Sequence, residues 1–355
     1  MSTPNPQVQA PLKPPSRPIE ITAVGMLTPL GADAVMTAAA VRSDISAYAE
    51  SSILNKQFNP MILSLVPDAA LPPLDEALAS LNLTSRQQRL LRLATPAMQQ
   101  LQDVMSENTP LLLCGPEKMP GRRSVISDTF LKHLAVQTKT PFDMDNSYVF
   151  PDGRAAGFYA LEVAMQLLET GSQTEVMIGG VDSYLDTYLL ATLDRDDRVL
   201  CGGAMDAFAP GEAAVFILVK LADDNSAVKI YPPGIADEPG HRYSTEPYKG
   251  EGLASAVRES ISNGEGHPIK TVFASFNGEN FSAKEWGVSA IRNRTSFDDD
   301  FNLVHPADCY GDIGAATAPM LMALAAMGMS EGHYQKPALI WASSEIQQRA
   351  AACIG

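Results

Sequence analysis

The chain has 355 residues, 45% of them hydrophobic and 19% charged, which is enough apolar material for a large core or for two closely packed half-domains. A net charge of −15 at pH 7 repels phosphate backbones and anionic lipid, so neither nucleic acid nor a membrane surface is expected as a partner. The same charge argues against an acidic carrier protein as a tight partner, save through a local basic patch.

Cys114, Cys201, Cys309 and Cys353 form no CxxC pair or zinc-type cluster, so no metal or other cofactor is expected, and their scatter suits a reduced compartment. The first residues contain no apolar segment of a secretory signal. The uncharged run from Ile313 to Met329 is shorter than a bilayer span and reads as a buried core helix. The expectation is a soluble cytoplasmic protein.

Residues 1–17, rich in Pro, Gln and Ser, read as a disordered tail. Order begins with a strand, Ile19 to Val24. Gly25 and Thr28-Pro29-Leu30-Gly31 then turn the chain into an Ala-rich helix, Ala32 to Val41. Residues 55–73, with four prolines and no period, read as a loop or small cap. Ser85 is placed to N-cap a helix from Arg86 to Met105. A short strand follows, Leu111 to Cys114.

From Gly153 to Glu169 the polar side chains Glu162, Gln166 and Glu169 make one narrow stripe, so this helix is expected to be buried on most sides. Strands at Glu175 to Ile178, ending in Gly179-Gly180, and at Ala213 to Lys220 close the first half. The second half repeats the theme. It has a strand at Val228 to Tyr231, a helix near Leu253 to Ile261 and a strand at Thr271 to Ala274. A helix near Lys284 to Arg292, the apolar helix from Ile313 and a strand at Ala338 to Trp341 complete it. Strands alternating with helices twice over predict an α/β protein of two similar halves around buried helices.

Five segments together resemble β-ketoacyl synthases. They are IEITAVGMLTPLGADAVMTAAAVRSDISAY, DGRAAGFYALEVAMQLLETGSQTEVMIGGVDSY, DAFAPGEAAVFILVK, GEGLASAVRESI with VFASFNGENFSAKEWG, and CYGDIGAATAPMLMALAAM. Their order and spacing hold from about Ile19 to Ile340, and the matches fall on turns and glycines with specific backbone demands. The resemblance implies a thiolase-like fold of two βαβα halves in an α/β/α/β/α arrangement. The halves are expected over 18–220, with cap insertions at 55–75 and 116–146, and over 221–355. It also implies a homodimer, since first-half strands in this family usually pair across a two-fold axis.

The family's reactive residues are not matched. The nucleophilic Cys falls on Arg154, the two His fall on Asn277 and Asp312, and Ala307 or Asp308 stands in the region of a Lys. Arg stays protonated, Asn does not titrate, and an aspartate repels an enolate. The favoured reading of Arg154 and Asp312 is a buried ion pair whose hydrogen bonds Asn277 completes; the sharper one is an anion site at the helix N-terminus.

Cys309, three residues before Asp312, is the weaker candidate for a displaced nucleophile, and Cys201 ranks with it; a small buried residue is the default for both. His305 reads as a strand-end residue, and His133, His241, His267 and His333 as surface residues. Gly179-Gly180, Gly202-Gly203 and Gly211 lack phosphate-loop spacing and read as turns or close backbone approaches. Met320, Met322, Met327 and Met329 read as core filling.

The expectation is therefore not an enzyme but an accessory, adaptor or scaffold protein. NGENFSAKEWG and FAPGEAAVFILVK are most similar to the short ketosynthase-like proteins of bacterial type VI secretion effector modules, which implies a secretion effector or its adaptor as protein partner. The alternatives are an acyl-binding, chain-length-factor-like partner of an active ketosynthase, or an acyltransferase or hydrolase with a relocated nucleophile.

Overall fold

The computed structural model describes residues 14–118, 124–264 and 268–355. Its first half opens with β1 (Ile19–Leu27), α1 (Ala34–Arg42) and the hairpin β2 (Ala49–Leu54) and β3 (Pro60–Leu63). A one-turn α2 (Glu76–Ala79), α3 (Ser85–Gln99), β4 (Pro110–Cys114), α4 (Asp128–Thr138) and β5 (Asp143–Phe150) follow. Then come α5 (Ala156–Glu169), β6 (Val176–Ser183), α6 (Thr187–Arg195) and β7 (Glu212–Leu221). The second half holds β8 (Gly234–Asp237), α7 (Glu251–Asn263), β9 (Ile269–Ala274), α8 (Asn280–Arg292) and β10 (Phe297–Val304). It ends with the one-turn α9 (Ala307–Tyr310), α10 (Thr317–Ser330), β11 (Ala338–Ser343) and β12 (Gln348–Ile354).

The two main sheets share one plan. The first has the order β1-β7-β6-β4-β5, the second β8-β12-β11-β9-β10. In each, the first three strands are antiparallel and the last three parallel. Helices α5 and α10 lie between the sheets, because both are apolar almost all round and bury on every side. Helices α3 and α4 cover the outer face of one sheet, α7 and α8 that of the other. The result is five layers, α/β/α/β/α. The strands β6 and β7, covered on both faces, are continuous buried runs as such strands require.

Among the described residues each sheet ends in one outer parallel strand with no further strand beside it, β5 in the first half and β10 in the second. Along β10 stand Asp298, Asp299 and Asp300; along β5 the stretch Asn146–Phe150 carries no charge.

Several expectations shift. Residues 55–73 are not a plain loop, since the hairpin β2–β3 reaches into them and buries Met61 and Leu63 against Leu190, Leu193, Val199 and Phe208. Thr84, not Ser85, caps α3, with Gln87 returning the hydrogen bond in a capping box, and the helix stops at Gln99. Strand β6 does not end at Gly179-Gly180. A Cβ on Gly179 would stand 2.3 Å from the Phe216 ring, and one on Gly180 2.6 Å from the Ala315 carbonyl, so the glycines let the strand pass between close neighbours. Val228 to Tyr231 makes only single bridges, Ile230 to Ile19 and to Ile354, and the true strand β8 lies in the Pro- and Gly-rich stretch behind it. The apolar helix begins at Thr317, after a 3₁₀ turn over Gly314–Ala316. The tail expected over 1–17 lies outside the described residues as far as 13, and so does His267. Ser16 and Arg17 are held, both donating backbone N–H to Glu169 on α5.

Candidate functional site

Both central helices start from a tight 3₁₀ turn, Gly153–Ala155 before α5 and Gly314–Ala316 before α10. Gly153 and Gly314 have φ of +65° and +52°, the left-handed region where a side chain is strained. The opposite half caps each turn. Ala155 N–H donates to Ser344 Oγ at 3.0 Å, and Ala315 N–H donates to Asp182 Oδ2 at 3.0 Å. The helix N-termini therefore meet at the seam between the halves, and there the structure brings Arg154, Asn277 and Asp312 together.

Arg154 Nε donates to Asp312 Oδ1 at 3.1 Å and Oδ2 at 3.0 Å, and one Nη also reaches Oδ2. Asn277 Nδ2 donates to the same Oδ2 at 3.0 Å, and Gly314 N–H to Oδ1 at 2.9 Å. The Asp312 backbone is clamped to the first half: its N–H donates to Ala209 O at 2.9 Å, and Gly211 N–H donates to its carbonyl at 2.8 Å. Arg154, Asn277 and Asp312 are 7%, 7% and 3% exposed.

The cluster extends further than the sequence reading reached. Arg198 makes two forked contacts. Its Nε and Nη2 donate to Glu279 at 2.7 Å each, and its Nη1 and Nη2 donate to Glu345 at 2.9 Å each. Arg154 donates to Glu345 at 2.9 Å and, at 3.4 Å, to the Tyr184 hydroxyl. Asn277 Nδ2 reaches Glu279 at 3.0 Å, and Arg242 pairs with Glu279 at 3.1 Å. Three arginines thus face three carboxylates, and the cluster is neutral as a whole.

Burial pushes the Asp312 carboxyl up, but the Arg154 charge beside it, with the hydrogen bonds of Arg154 and Asn277, holds it below the ordinary carboxylate range. Glu345 is likewise pulled down against its burial by Arg198 and Arg154. Arg154 and Arg198 stay charged, the neighbouring carboxylates raising their pKa values against burial. Glu117 behaves the other way. It accepts the N–H groups of Glu345 and Ile346 at 2.8 Å each, yet burial and the neighbouring Glu345 charge push it up to about 7.

Of the cluster, Glu279 had a sequence signal, its place two residues after Asn277 in the quoted NGEN phrase. Arg198 and Glu345 had none. Asp-Arg-Asp-Asp-Arg reads as a solvated charge run, and Ser-Ser-Glu as an exposed turn. Beside the cluster a cleft of about 390 Å³ is lined by Arg86, Glu117, Val125, Arg154, Tyr184 and Leu193, among others.

The remaining candidates lie apart. Cys309 is buried, and burial with the charges of Asp44 and Asp308 pushes its thiol up to about 11. The nearby His305 turns to Asp308, with Nδ1 at 2.7 Å from Oδ2, and not to the sulfur. Cys201 is half-buried and accepts from Asn55 Nδ2 at 3.3 Å. His133 is half-buried, and His241 is held below its ordinary value chiefly by burial and then by the Arg349 charge. No helix among the described residues is long and apolar enough to cross a membrane.

The paired sheets around two buried helices define a thiolase-like fold of the ketosynthase type. One chain of the ketosynthase ApeO complex with its chain length factor ApeC, from Xenorhabdus doucetiae, matches with a TM-score of 0.75 and 14% identity over 100% of both chains. The ishigamide ketosynthase/chain length factor matches at 0.73 and 13%, over 96% of this chain and 99% of that one. The ketosynthase from module 6 of the bacillaene synthase from Bacillus subtilis 168 matches at 0.76 and 13%, over 95% and 72%. Identities this low speak for the fold alone. No family model matches the sequence. No curated protein matches it either.

Proposed function

We infer that this protein is a ketosynthase-fold chain that acts by binding a protein partner and does not condense acyl groups. The observation that carries this reading is the closed set of contacts among Arg154, Asn277 and Asp312. A condensing site needs a thiolate at the helix N-terminus and donors aimed at a developing oxyanion. Here the helix N-terminus presents a guanidinium, its charge is committed to Asp312 and Glu345, and the donors of Asn277 point at carboxylates. No Cys and His among the described residues stand together as nucleophile and base.

The resemblance to type VI secretion accessory proteins directs the finer reading. The partner is a secretion effector or its adaptor, and the fold supplies a rigid homodimeric scaffold joined through the outer edge of β5. A second reading, a chain-length-factor-like subunit that shapes the tunnel of an active ketosynthase, is favoured by one observation. The cleft beside Arg154 has an apolar wall, with Val125, Leu189 and Leu193, and room for a short acyl chain.

Intact mass after incubation with a panel of acyl-thioesters, including acyl-loaded carrier protein, tests the absence of condensing chemistry. The expected result is an unmodified chain. An adduct abolished by Cys309→Ala or Cys201→Ala would overturn the reading and make the protein a transferase or hydrolase.

A further inference from the structure

Phe58 stands at the tip of the β2–β3 hairpin. The turn closes through Phe58 N–H to Asn55 O at 3.0 Å, and Asn55 N–H pairs with Asn59 O at 2.9 Å. Phe58 takes φ +63°, the left-handed position that hairpins of this kind give to glycine. A bulky side chain there strains the backbone. The ring is 81% exposed, so core packing does not offset that strain.

The tip is held firmly all the same. Buried Asn55 accepts the N–H groups of Gln57 and Asn59 at 2.9 Å each and donates to Cys201 Sγ. Lys56 donates its N–H to Asp194 at 2.7 Å and its Nζ to Arg195 O at 3.1 Å, and it pairs with Asp197 at 2.7 Å. Two further apolar side chains are exposed on the segments so joined, Leu54 at 51% and Met205 at 95%. The same segments carry Glu50, Asp194, Asp196, Asp197 and Asp206 against Lys56, Arg195 and the buried Arg198, and although Lys56 pairs with Asp197 and Arg195 with Asp196 at 2.9 Å, the acidic groups stay in excess.

We propose that this face docks a second, different protein, with Phe58 inserted as a knob into an apolar socket rimmed by Lys or Arg side chains. The proposal rests on the reading above, that the chain works through protein contacts. The preorganised, strained and solvated aromatic supplies an anchor at little cost in ordering. The acidic rim selects a basic socket. It also disfavours a second copy of this chain, which would bring like charges together, and an anionic membrane.

The test uses the full-length chain with p-benzoylphenylalanine in place of Phe58, irradiated in its native cells, and the cross-linked species identified by mass. That protein is then purified and titrated against the wild type, Phe58→Gly and Met205→Asp. The expected outcome is a cross-link to one protein with a basic face, bound about tenfold or more weakly by Phe58→Gly. Since glycine relieves the left-handed strain, Phe58→Gly should at the same time melt no lower than the wild type. An absent cross-link, a cross-link to another copy, Phe58-dependent flotation with phosphatidylglycerol vesicles, an unchanged affinity or a lowered Tm would each overturn the proposal. An acyl adduct together with the expected cross-link would discard the binding-only reading and keep the docking face. No adduct and no cross-link would do the reverse.

Discussion

Arg154 and Asp312 are 158 positions apart in the chain, yet their side chains meet in a forked ion pair at the seam of the two halves. Arg154 lies in the turn that launches one central helix and Asp312 two residues before the turn that launches the other, so the pair joins the halves at the point where both helix N-termini converge. Removing one member leaves a buried charge without its main partner. Asp312→Ala is expected to lower unfolding stability by about 3 kcal/mol, with Glu345 retaining part of the compensation for Arg154. The double substitution Arg154→Met, Asp312→Leu should recover most of that loss. Urea unfolding of the four chains as a double-mutant cycle checks it; a double variant no better than Asp312→Ala would refute the coupling.

Glu117 predicts a pH dependence of stability. Its pKa rises from 4.5 in the unfolded chain to about 7 in the folded one, chiefly through burial and then through Glu345. Between those values the folded state holds a proton that the unfolded state has lost, so stability falls as pH rises from about 4.5 to 7 and is then level as far as this group is concerned. The span is on the order of 3 kcal/mol. Glu117→Gln, which mimics the protonated form, should flatten the profile in that window and stabilise the protein at pH 8. Thermal melts across the range measure it, and an unchanged slope would remove Glu117 as its source.

Gly180 lies where β6 passes the turn before α10. An added Cβ would stand 2.6 Å from Ala315 O and 2.9 Å from Ala316 Cα, both backbone atoms that cannot swing aside. Gly180→Ala is therefore expected to cost about 2–3 kcal/mol, by overpacking and not by loss of backbone freedom. Gly171, where nothing lies within 4 Å of such an atom, is a poor control because its φ is positive; Gly202→Ala, with open space and no such φ, is the proper one and should be close to neutral. Equal losses at 180 and 202 would contradict the packing account.

The edge of β5 is the surface proposed for self-association. Tyr148 is 50% exposed there. Tyr148→Asp should leave the melting temperature within a few degrees of the wild type and shift a dimer to monomer by about tenfold or more in dissociation constant, measured by mass photometry across a dilution series. A wild-type chain that is already monomeric, or a variant that still pairs, would refute this interface.

How much of this was legible in the sequence follows from which signals are local. The central strands and helices were readable because burial on both faces leaves uninterrupted apolar runs, as in Ala213 to Val219 and Met320 to Ala326. The Gly-Gly pair of β6 misled, since the reason for glycine there is Phe216 and Ala315, residues far away in the chain. Helix α4 and strand β5 were hidden because half of β5, Asp143 to Asn146, is polar edge. Strand β10 was hidden for the same cause, its three aspartates reading as loop. Position by position, resemblance singled out Arg154, Asn277 and Asp312. Arg198 and Glu345 escaped because a buried arginine is written in the sequence like a surface one, and only tertiary pairing distinguishes them.

The three aspartates of β10 have a consequence for growth. A molecule with two sticky borders can add neighbours without end, head to tail, and become a fibre. Here the β10 border carries Asp298, Asp299 and Asp300 in a row, while the β5 border has Asp143 and Asp145 at its start and no charge over Asn146–Phe150. On the proposed pairing through β5, those charges disfavour a further contact of β10 with its own likeness.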